Sequence, residues 1–344
     1  MKNLFVLHTQ YNLILSLALI LEKHQNDENH LILFKDFKLS DEMLQTLQNQ
    51  FLSVKVCTGF LNVEDRAWKK KAARYRMQKV EFEADNRVYD NVYLVEDTVI
   101  PEQYIMRHSY RKNRNVRFSY IGDGGDAYYT IIDPKKLTGI SRHGYLIAAR
   151  KIVFKYGLGL GRFYHHASCF GSSPILTDCY ELFPMHLRQE LQKKNKHEIK
   201  GEYFIQAAKI LYSHLTPPVI EENALVIMMD KLTVYGDFKL FDRVTSELIE
   251  KAETEGRKIY YKYHPVETQI YPKSDNWIEL DRTLPAEFML SCADPNKTWV
   301  VGIMTTALQA AKKMGHNVTS YIESFAPERE EVIELYKKIG IDVR

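Results

Sequence analysis

The stretch VRFSYIGDGGDAYYT, residues 116–130, decides the fold, because an apolar run meets an aspartate between glycines. VRFSYI has the alternating apolar and aromatic residues of a buried strand. Gly and Asp favour tight turns, so the strand is predicted to end at Gly122 and Asp123. Ligands of open α/β sheets bind beyond the carboxyl ends of the strands. Asp123 therefore occupies a functional position if the rest of the chain forms a parallel sheet.

Short apolar runs recur along the chain, with helix-length segments between them. The first group is LFVLH, HLILF, LSVKVC, NVYLVE and VRFSYI, at residues 4–8, 30–34, 52–57, 91–96 and 116–121. The second group is ALVIMM, KIYYKY, NWIEL, TWVVG and NVTSYI, at residues 224–229, 258–263, 276–280, 298–302 and 317–322. This alternation predicts βαβ units and mainly parallel sheets. Between the groups, residues 187–215 are expected to be helical.

The domain organisation follows from a break between the two groups. Pro217 and Pro218, followed by Glu-Glu-Asn, are typical of an inter-domain linker. We expect an N-terminal Rossmann-like domain over residues 1–215 and a C-terminal one over residues 223–326. Residues 327–344 are expected to form a helix, for which packing across the domains stays open. The cleft between two doubly wound α/β domains is the default ligand site.

The composition excludes several classes of protein. The 344 residues, 45% hydrophobic and 26% charged, are enough to bury a sizeable core. A net charge of +3 is too small to indicate nucleic-acid binding. The four cysteines lack the spacing of a zinc site or a disulfide framework, which favours a reducing cytoplasm.

The apolar run at residues 13–21 is too short to span a bilayer and is predicted to be a buried helix.

Two kinds of association stay open on the sequence. The basic runs WKKKAARYR and RHSYRKNRNVR, residues 68–76 and 107–117, are compatible with peripheral attachment to an anionic membrane surface, at the inner face of the cell membrane. Solvated helix and loop faces are the ordinary explanation of the same runs. A homodimer is also open.

Polar residues follow four of the predicted strands: Asp123, His264 with Pro265, Glu287, and Thr305 with Thr306. Each has an ordinary structural explanation. Asp123 suits a turn, and Pro265 ends a strand. Glu287 suits the first turn of a helix, and a threonine pair suits a helix cap. The functional signal lies in their order along the chain.

In that order the motifs resemble the bacterial sialyltransferases of glycosyltransferase family 52 and the related bacterial polysialyltransferases. The opening LHTQYNLILSLALI, residues 7–20, is similar to the start of these enzymes. The resemblance implies the glycosyltransferase-B architecture, with two Rossmann-like domains facing a central cleft. There is one departure: these families usually have two acids before the glycine, whereas Gly122 precedes Asp123 in this chain. The acid that remains is at the position expected of the base.

The resemblance implies an inverting transfer of sialic acid from CMP-sialic acid to a terminal sugar, expected to be galactose, of a bacterial surface glycan. This glycan would be a capsule, a lipooligosaccharide or an exopolysaccharide. Asp123 would take the acceptor proton, and His264 would stabilise or protonate the leaving phosphate. Thr305, Thr306 and the amides that start their helix would hold the phosphate oxygens. Neither a metal nor another cofactor is implied, and the chain has no DxD motif.

Further residues have expected roles, of which only that of Glu287 is implied by the resemblance. Glu287 would accept hydrogen bonds from the ribose hydroxyls, beside the His-Pro motif that contains Pro265. Lys262 would add positive charge near the phosphate, although an exposed strand lysine explains it as well. The acceptor candidates are aromatic or basic residues, because sugars stack on aromatic faces and anionic glycans favour cations: Tyr128, Tyr129, Arg162 and His165.

Two other functions remain open at this point. The same scaffold could use another activated sugar, such as CMP-Kdo or a nucleotide-diphosphate sugar. A glycan-binding or capsule-assembly protein could also keep the fold without turnover. The presence of both Asp123 and His264 favours an enzyme over this second alternative.

Overall fold

A computed structural model describes residues 1–59, 79, 82, 85–129, 153–165, 169–230, 238–264, 267 and 277–344. Within these residues the chain divides into two compact units, Met1–Ile199 and Lys200–Arg344. Each unit is built around a parallel β-sheet with helices between successive strands. The predicted α/β fold class is confirmed.

The described part of the first unit contains a parallel sheet with the strand order β3-β2-β1-β4-β5-β6-β7. Its strands are β1 Lys2–Leu7, β2 Glu28–Lys35, β3 Ser53–Thr58, β4 Asn91–Leu94, β5 Arg117–Ile121, β6 Asp178–Glu181 and β7 Asn195–Glu198. The five runs predicted as strands all belong to this sheet. The strand order changes direction between β1 and β4, so the carboxyl ends of these strands mark the usual ligand position.

In the described part of the first unit, the following helices and helical turns lie between these strands. They are α1 Gln10–Leu19, α2 Asp41–Gln50 and α3 Ile100–Lys112, the π-helical turns Ile20–His24 and Val153–Gly157, and the 3-10 turns Gly124–Ala127, Gly161–Phe163, Pro184–His186 and Gln189–Leu191. The apolar run at residues 13–21 is confirmed as a buried helix, because Leu13 to Ile20 are all buried in α1 and the turn that follows it.

The described part of the second unit contains a parallel sheet with the order β10-β9-β8-β11-β12-β13. Its strands are β8 Ala224–Met228, β9 Lys258–Lys262, β10 Ile278–Glu279, β11 Thr298–Gly302, β12 Asn317–Ser320 and β13 Asp342–Val343. Its helices are α4 Gly201–Leu211, α5 Phe238–Thr254, α6 Ala286–Cys292, α7 Thr306–Lys313, α8 Ile322–Phe325 and α9 Glu330–Lys338. The order changes direction between β8 and β11.

The structure differs from the sequence prediction in the middle of the chain. Residues 187–215 are helical only in α4 and in one short 3-10 turn, and Asn195–Glu198 is a strand. That strand has the sequence NKHE, which has no apolar pattern, and it lies at the edge of its sheet. Its backbone pairs with β6, and this pairing holds it in the strand conformation. The prediction of a helix over residues 187–200 is therefore wrong.

The unit boundaries also differ from the expected 1–215, 223–326 and 327–344. The first unit ends at Ile199, because α4 packs on α6 within the second unit. Gly201 lies so close to the carbonyl of Lys313 that a Cβ would overlap it. The segment 327–344 contains α9 and β13, and β13 extends the second sheet by pairing with β12. Among the described residues, no helix is both long enough and apolar enough to cross a membrane.

Candidate active site

Asp123 lies immediately after β5, at the carboxyl edge of the first sheet. The Nδ2 amide of Asn12 donates to Asp123 Oδ1 at 3.2 Å and to the carbonyl oxygen of Gly122 at 3.0 Å. The backbone N–H of Asp123 donates to the Tyr120 hydroxyl at 3.2 Å. These contacts fix both the turn and its carboxylate, so a turn-forming role and a chemical role for Asp123 are compatible.

The junction between β1 and α1 fixes Asn12 in turn. The Thr9 side chain accepts the Asn12 N–H at 3.2 Å, and Asn12 Oδ1 accepts the Thr9 N–H at 3.0 Å. This reciprocal capping box satisfies two N–H groups at the start of the helix. Because Oδ1 of Asn12 is bound to Thr9, its Nδ2 group is aimed at Gly122 and Asp123. The opening motif thus positions the candidate base.

His8 places a buried charged cluster beside this turn, and the sequence analysis missed it. The His8 imidazole is 0% exposed, with Nε2 at 2.7 Å from Glu102 Oε1 and Nδ1 at 3.6 Å from Asp36 Oδ2. Burial disfavours the charged ring, but the nearby carboxylate of Asp36 and the hydrogen-bonded carboxylate of Glu102 outweigh it and raise the pKa of His8 to about 10. His8 is therefore a cation at neutral pH.

The charge of His8 acts on the candidate base. Burial raises the pKa of Asp123, whereas the Asn12 hydrogen bond and the positive charge of His8 oppose the increase. A carboxylate with a moderately raised pKa is a better proton acceptor than a fully solvated one, provided that it stays ionised. His8 and Asn12 favour that ionised state.

Glu96 is a second carboxyl group near Asp123 that the sequence analysis did not select. It follows β4, the strand paired with β5. Burial raises the pKa of Glu96 to about 7, with His8 opposing the shift and Glu102 and Asp123 adding to it. His8 and Glu96 are the last residues of two predicted strands, residues 4–8 and 91–96. Applying the strand-end rule to every strand, and not only to the recognised motifs, would have found them.

The space that the side chain of an acid at residue 122 would need is occupied by Glu181, a residue of the neighbouring strand β6. A Cβ at residue 122 would overlap the carboxylate of Glu181, which is 0% exposed at the end of β6. The Tyr128 hydroxyl donates to Glu181 Oε2 at 2.8 Å, and the backbone N–H of Leu182 donates to the same oxygen at 3.0 Å. A buried carboxylate therefore packs against Gly122 although the sequence has no acid there.

The four acceptor candidates lie in different surroundings. Tyr128 is buried, and its hydroxyl also accepts the Phe183 N–H at 3.1 Å. Tyr129 is buried, with its hydroxyl close to Gly125. These contacts and the burial give both tyrosines a packing role. An acceptor role for either remains a prediction.

Arg162 and His165 are more accessible than the two tyrosines. Arg162 is exposed, and its guanidinium lies over the Tyr110 ring at 4.1 Å from the ring centroid. His165 is half-buried, with Nε2 at 2.9 Å from the Ser172 hydroxyl. The acceptor role of both residues stays a prediction.

At the carboxyl edge of the second sheet, the charges of Lys262 and Glu287 are close enough to shift each other's pKa. Lys262 is only 5% exposed, and its Nζ donates to the carbonyls of Tyr263 and Arg282, both at 3.3 Å. Burial lowers the pKa of Lys262, and the charges of Glu287 and Asp281 oppose this. Lys262 is thus a buried lysine at the end of its strand, and the alternative of an exposed lysine is wrong.

Glu287 lies in the first turn of α6, as the sequence predicted, after the N-cap Pro285. Burial raises the pKa of Glu287, while its own backbone hydrogen bond and Lys262 oppose the rise. The charge of Glu287 in turn contributes to a raised pKa of Tyr212, after burial as the larger cause. Glu287 therefore lies in a partly desolvated environment in which a hydrogen bond to its carboxylate is strengthened.

His264 and the threonine pair also follow strands. His264 is exposed shortly after β9, whereas Pro265 lies outside the described residues. Thr305 caps α7, and its side chain accepts the Ala307 N–H at 3.3 Å. Thr306 is the first residue of that helix, and both threonines are half-buried. The capping role of Thr305 is confirmed.

Asp230, after β8, was not selected from the sequence. Its Oδ2 accepts the Met304 N–H at 3.0 Å. Burial raises the pKa of Asp230 to about 6, and the backbone hydrogen bonds from Met304 and Ile303 oppose this. Asp230 therefore holds the segment that leads into α7, at the point where the strand order changes direction. Within the described ranges, no group of His, Cys, Asp and Glu side chains is arranged to hold a metal ion.

No family model matches the chain, and no curated protein matches it in sequence. Solved structures nevertheless share its fold over nearly the whole length. An α/β-galactoside α-2,3-sialyltransferase from the luminous marine bacterium Photobacterium phosphoreum has a TM-score of 0.59 at 12% identity, covering 99% of this chain and 98% of that enzyme. The GT-B domain of a Photobacterium damselae sialyltransferase has a TM-score of 0.52 at 13% identity, covering 100% and 98%.

A third similar structure has a different activity. UDP-GlcNAc 2-epimerase from Methanocaldococcus jannaschii has a TM-score of 0.54 at 11% identity, covering 98% of this chain and 92% of that protein. At such identities the likeness concerns the fold alone. It confirms the predicted glycosyltransferase-B type of architecture, with two Rossmann-like units, that the resemblance to bacterial sialyltransferases implied.

Proposed function

We propose that this protein is an inverting sialyltransferase that moves sialic acid from CMP-sialic acid to a terminal galactose of a bacterial surface glycan, in the cytoplasm. The observation that carries the proposal is the carboxylate of Asp123 at the carboxyl edge of the first sheet, bound by the Asn12 amide at 3.2 Å. A base that removes a proton from a sugar hydroxyl must be an ionised, positioned carboxylate or its equivalent.

In the proposed reaction, the acceptor hydroxyl oxygen attacks the anomeric carbon of sialic acid while the bond from that carbon to the phosphate oxygen breaks. Asp123 takes the hydroxyl proton, and CMP leaves with the bonding electron pair. The transition state resembles an oxocarbenium ion, so the developing negative charge lies on the phosphate. Attack opposite the leaving group inverts the anomeric configuration.

The second unit supplies the donor site in this proposal. His264 is exposed, and therefore accessible to the leaving phosphate, which it stabilises or protonates. The amides at the start of α7, beside Thr305 and Thr306, hold phosphate oxygens through the positive end of the helix dipole. Glu287 accepts hydrogen bonds from the ribose. Since these groups relieve the charge of the phosphate, the proposal includes no metal ion or other cofactor.

A second candidate is an enzyme that acts on a nucleotide-diphosphate sugar. The similar fold of the Methanocaldococcus jannaschii UDP-GlcNAc 2-epimerase favours considering it. The order of Asp123, His264 and the threonine pair, which resembles that of sialyltransferases, favours the first proposal. The two candidates differ in their nucleotide: the first releases CMP, whereas the second acts on a sugar bound to a nucleoside diphosphate.

The test is to incubate the purified protein separately with CMP-sialic acid, CMP-Kdo and UDP-GlcNAc, with and without a β-galactoside, and to measure free nucleotide and sugar products. We expect CMP release from CMP-sialic acid that the galactoside accelerates, together with a sialylated product. CMP release from CMP-Kdo alone would change the donor. Conversion of UDP-GlcNAc would support the second candidate, and no turnover of any donor would favour a binding protein.

A further inference from the structure

Glu181 is a buried carboxylate, and burying a carboxylate costs free energy unless hydrogen bonds compensate for the lost water. Its side chain is 0% exposed at the end of β6. The hydroxyl of Tyr128 and the N–H of Leu182 donate to the same oxygen, Oε2, at 2.8 and 3.0 Å. With one oxygen fixed by two donors, the orientation of the carboxyl group is determined. Its other oxygen, Oε1, lies against the α carbon of Gly122.

The contact with Glu181 explains why residue 122 is a glycine. Gly122 has no left-handed φ, so its φ does not by itself require a glycine. The atoms that a Cβ would meet first are Oε1, Cδ and Cγ of Glu181. The need for glycine therefore comes from the position of one side chain, and not from the turn itself.

Gly122 is tightly held on its remaining sides. Its N–H donates to the Tyr180 carbonyl at 3.1 Å, and its own carbonyl accepts the Asn12 amide at 3.0 Å. The same Asn12 amide donates to Asp123 Oδ1. A shift of Gly122 would therefore change the geometry between Asn12 and Asp123.

We propose that Glu181 is a positioning residue of the active site, which holds the Gly122–Asp123 turn by occupying the space that a side chain at residue 122 would fill. The proposal rests on the proposed function, because its consequence is the placement of the Asp123 carboxylate. Glu181 does not contact the substrate, since it is fully buried. It acts through Gly122 on the residue that takes the proton.

The test is a reciprocal exchange of bulk between the two positions. Gly122→Ala and Gly122→Asp add atoms where Glu181 lies, and Glu181→Ala removes them. Because a misplacement of about 1 Å costs about 100-fold in rate, each Gly122 variant is expected to lower kcat of sialyl transfer by about that factor. Two double variants combine Glu181→Ala with Gly122→Ala or with Gly122→Asp. The kcat of each double variant should be at least about 10-fold higher than the product of the two single effects predicts, because residues in contact have non-additive effects.

Three further measurements separate positioning from general stability. Glu181→Gln keeps the shape and an acceptor for Tyr128, and should retain most of the activity that Glu181→Ala loses. The affinity for CMP, measured by calorimetry, should stay unchanged in all folded variants, so that kcat alone falls. Gly157→Asp is the matched control, because a Cβ at residue 157 has no atom within 4 Å. It should retain the wild-type rate and melting temperature.

The outcomes distinguish this inference from the proposed function. Active wild-type protein with no rescue in either double variant, in rate or in melting temperature, would overturn the role of Glu181 and leave the proposed function standing. Full activity of Gly122→Asp alone would do the same. Wild-type protein that turns over no CMP-sialic acid would overturn the proposed function, and the positioning role with it. If Gly122→Asp unfolds, recovery of the melting temperature in the double variants still supports the steric exchange.

Discussion

The carboxyl edges of the two sheets are built differently, although both follow parallel strands. At the first edge, side chains hold side chains: His8 lies between Asp36 and Glu102, and Asn12 holds Asp123. At the second edge, backbone groups dominate, because Asp230 accepts the N–H of Met304, and Lys262 donates to two carbonyls. The first edge fixes an acid in space, whereas the second presents the start of a helix and an exposed histidine.

This difference matches the two halves of the proposed chemistry. A proton acceptor needs a fixed carboxylate whose pKa is set by its neighbours, and His8 and burial provide opposing influences on Asp123. A site for a departing phosphate needs accessible donors and positive charge, which α7 and His264 offer. Changes at the first edge should therefore alter stability or kcat, and changes at the second edge should alter nucleotide affinity.

The largest expected effect is at His8. Replacing His8 with Gln leaves Glu102 buried without its cation, and breaking a buried ion pair typically costs about 3–5 kcal/mol. We expect that loss in the free energy of unfolding, measured by urea denaturation at pH 7. The matched control is His197→Gln, because His197 lies 2.7 Å from Asp178 but is 32% exposed, so its loss should be much smaller. Equal losses in the two variants would contradict the comparison.

The same residue predicts a dependence of stability on pH. The pKa of His8 is raised to about 10, from 6.5 for an unperturbed histidine. A raised pKa contributes stability that is complete below the unfolded pKa and is lost as the pH rises through the folded pKa. The wild type should therefore lose stability relative to His8→Gln between about pH 6.5 and pH 10. Parallel stability curves for the two proteins, from denaturation at several pH values, would contradict a buried imidazolium.

The next effect is at the second edge and concerns the ribose. If Glu287 accepts hydrogen bonds from both ribose hydroxyls, loss of one hydroxyl should cost about 1–3 kcal/mol of binding free energy. Wild-type protein should bind CMP more tightly than 2′-deoxy-CMP in calorimetry, and Glu287→Ala should remove most of that preference. Glu330→Ala is the control, since Glu330 is also a first-turn glutamate but is exposed. Equal affinities for both nucleotides in the wild type would remove Glu287 from the donor site.

The smallest expected effect is at the cap of α7. Thr305→Ala removes the side chain that accepts the Ala307 N–H, and loss of such a cap costs about 1 kcal/mol of stability. CMP affinity should fall as well, because the start of the helix becomes less ordered. Thr305→Ser should restore both quantities in thermal unfolding and calorimetry. A loss of stability with unchanged CMP affinity would restrict Thr305 to capping.

The sequence predicted most of the strands because their apolar runs stand out from polar surroundings. It did not predict β6, β7 or β13, which read DCYE, NKHE and DV and have little apolar pattern. Their pairing comes from neighbouring strands in space. The helix predicted over residues 187–215 failed at residues 187–200 for the same reason, because tertiary pairing prevailed over local sequence preference.

For the candidate site, the sequence predicted the positions set by local structure and did not predict the long-range contacts. Asp123, Glu287 and Thr305 lie at a strand end or helix start, as local turn and capping residues indicated. The contacts of His8 with Glu102 and of Gly122 with Glu181 join residues far apart in sequence. No local pattern encodes such a contact. The glycine that seemed to be a defect of the motif is explained only by the strand beside it.

The most direct test of the account is the rate of galactoside-dependent CMP release by Asp123→Asn at saturating CMP-sialic acid. Asparagine keeps the size and the turn preference of aspartate and removes only its basicity. If Asp123 is the base, the rate should be at least about 100-fold below wild type, the usual loss when a general base is removed, with CMP affinity unchanged. Transfer at nearly the wild-type rate would show that Asp123 only forms the turn, and would contradict the proposed mechanism.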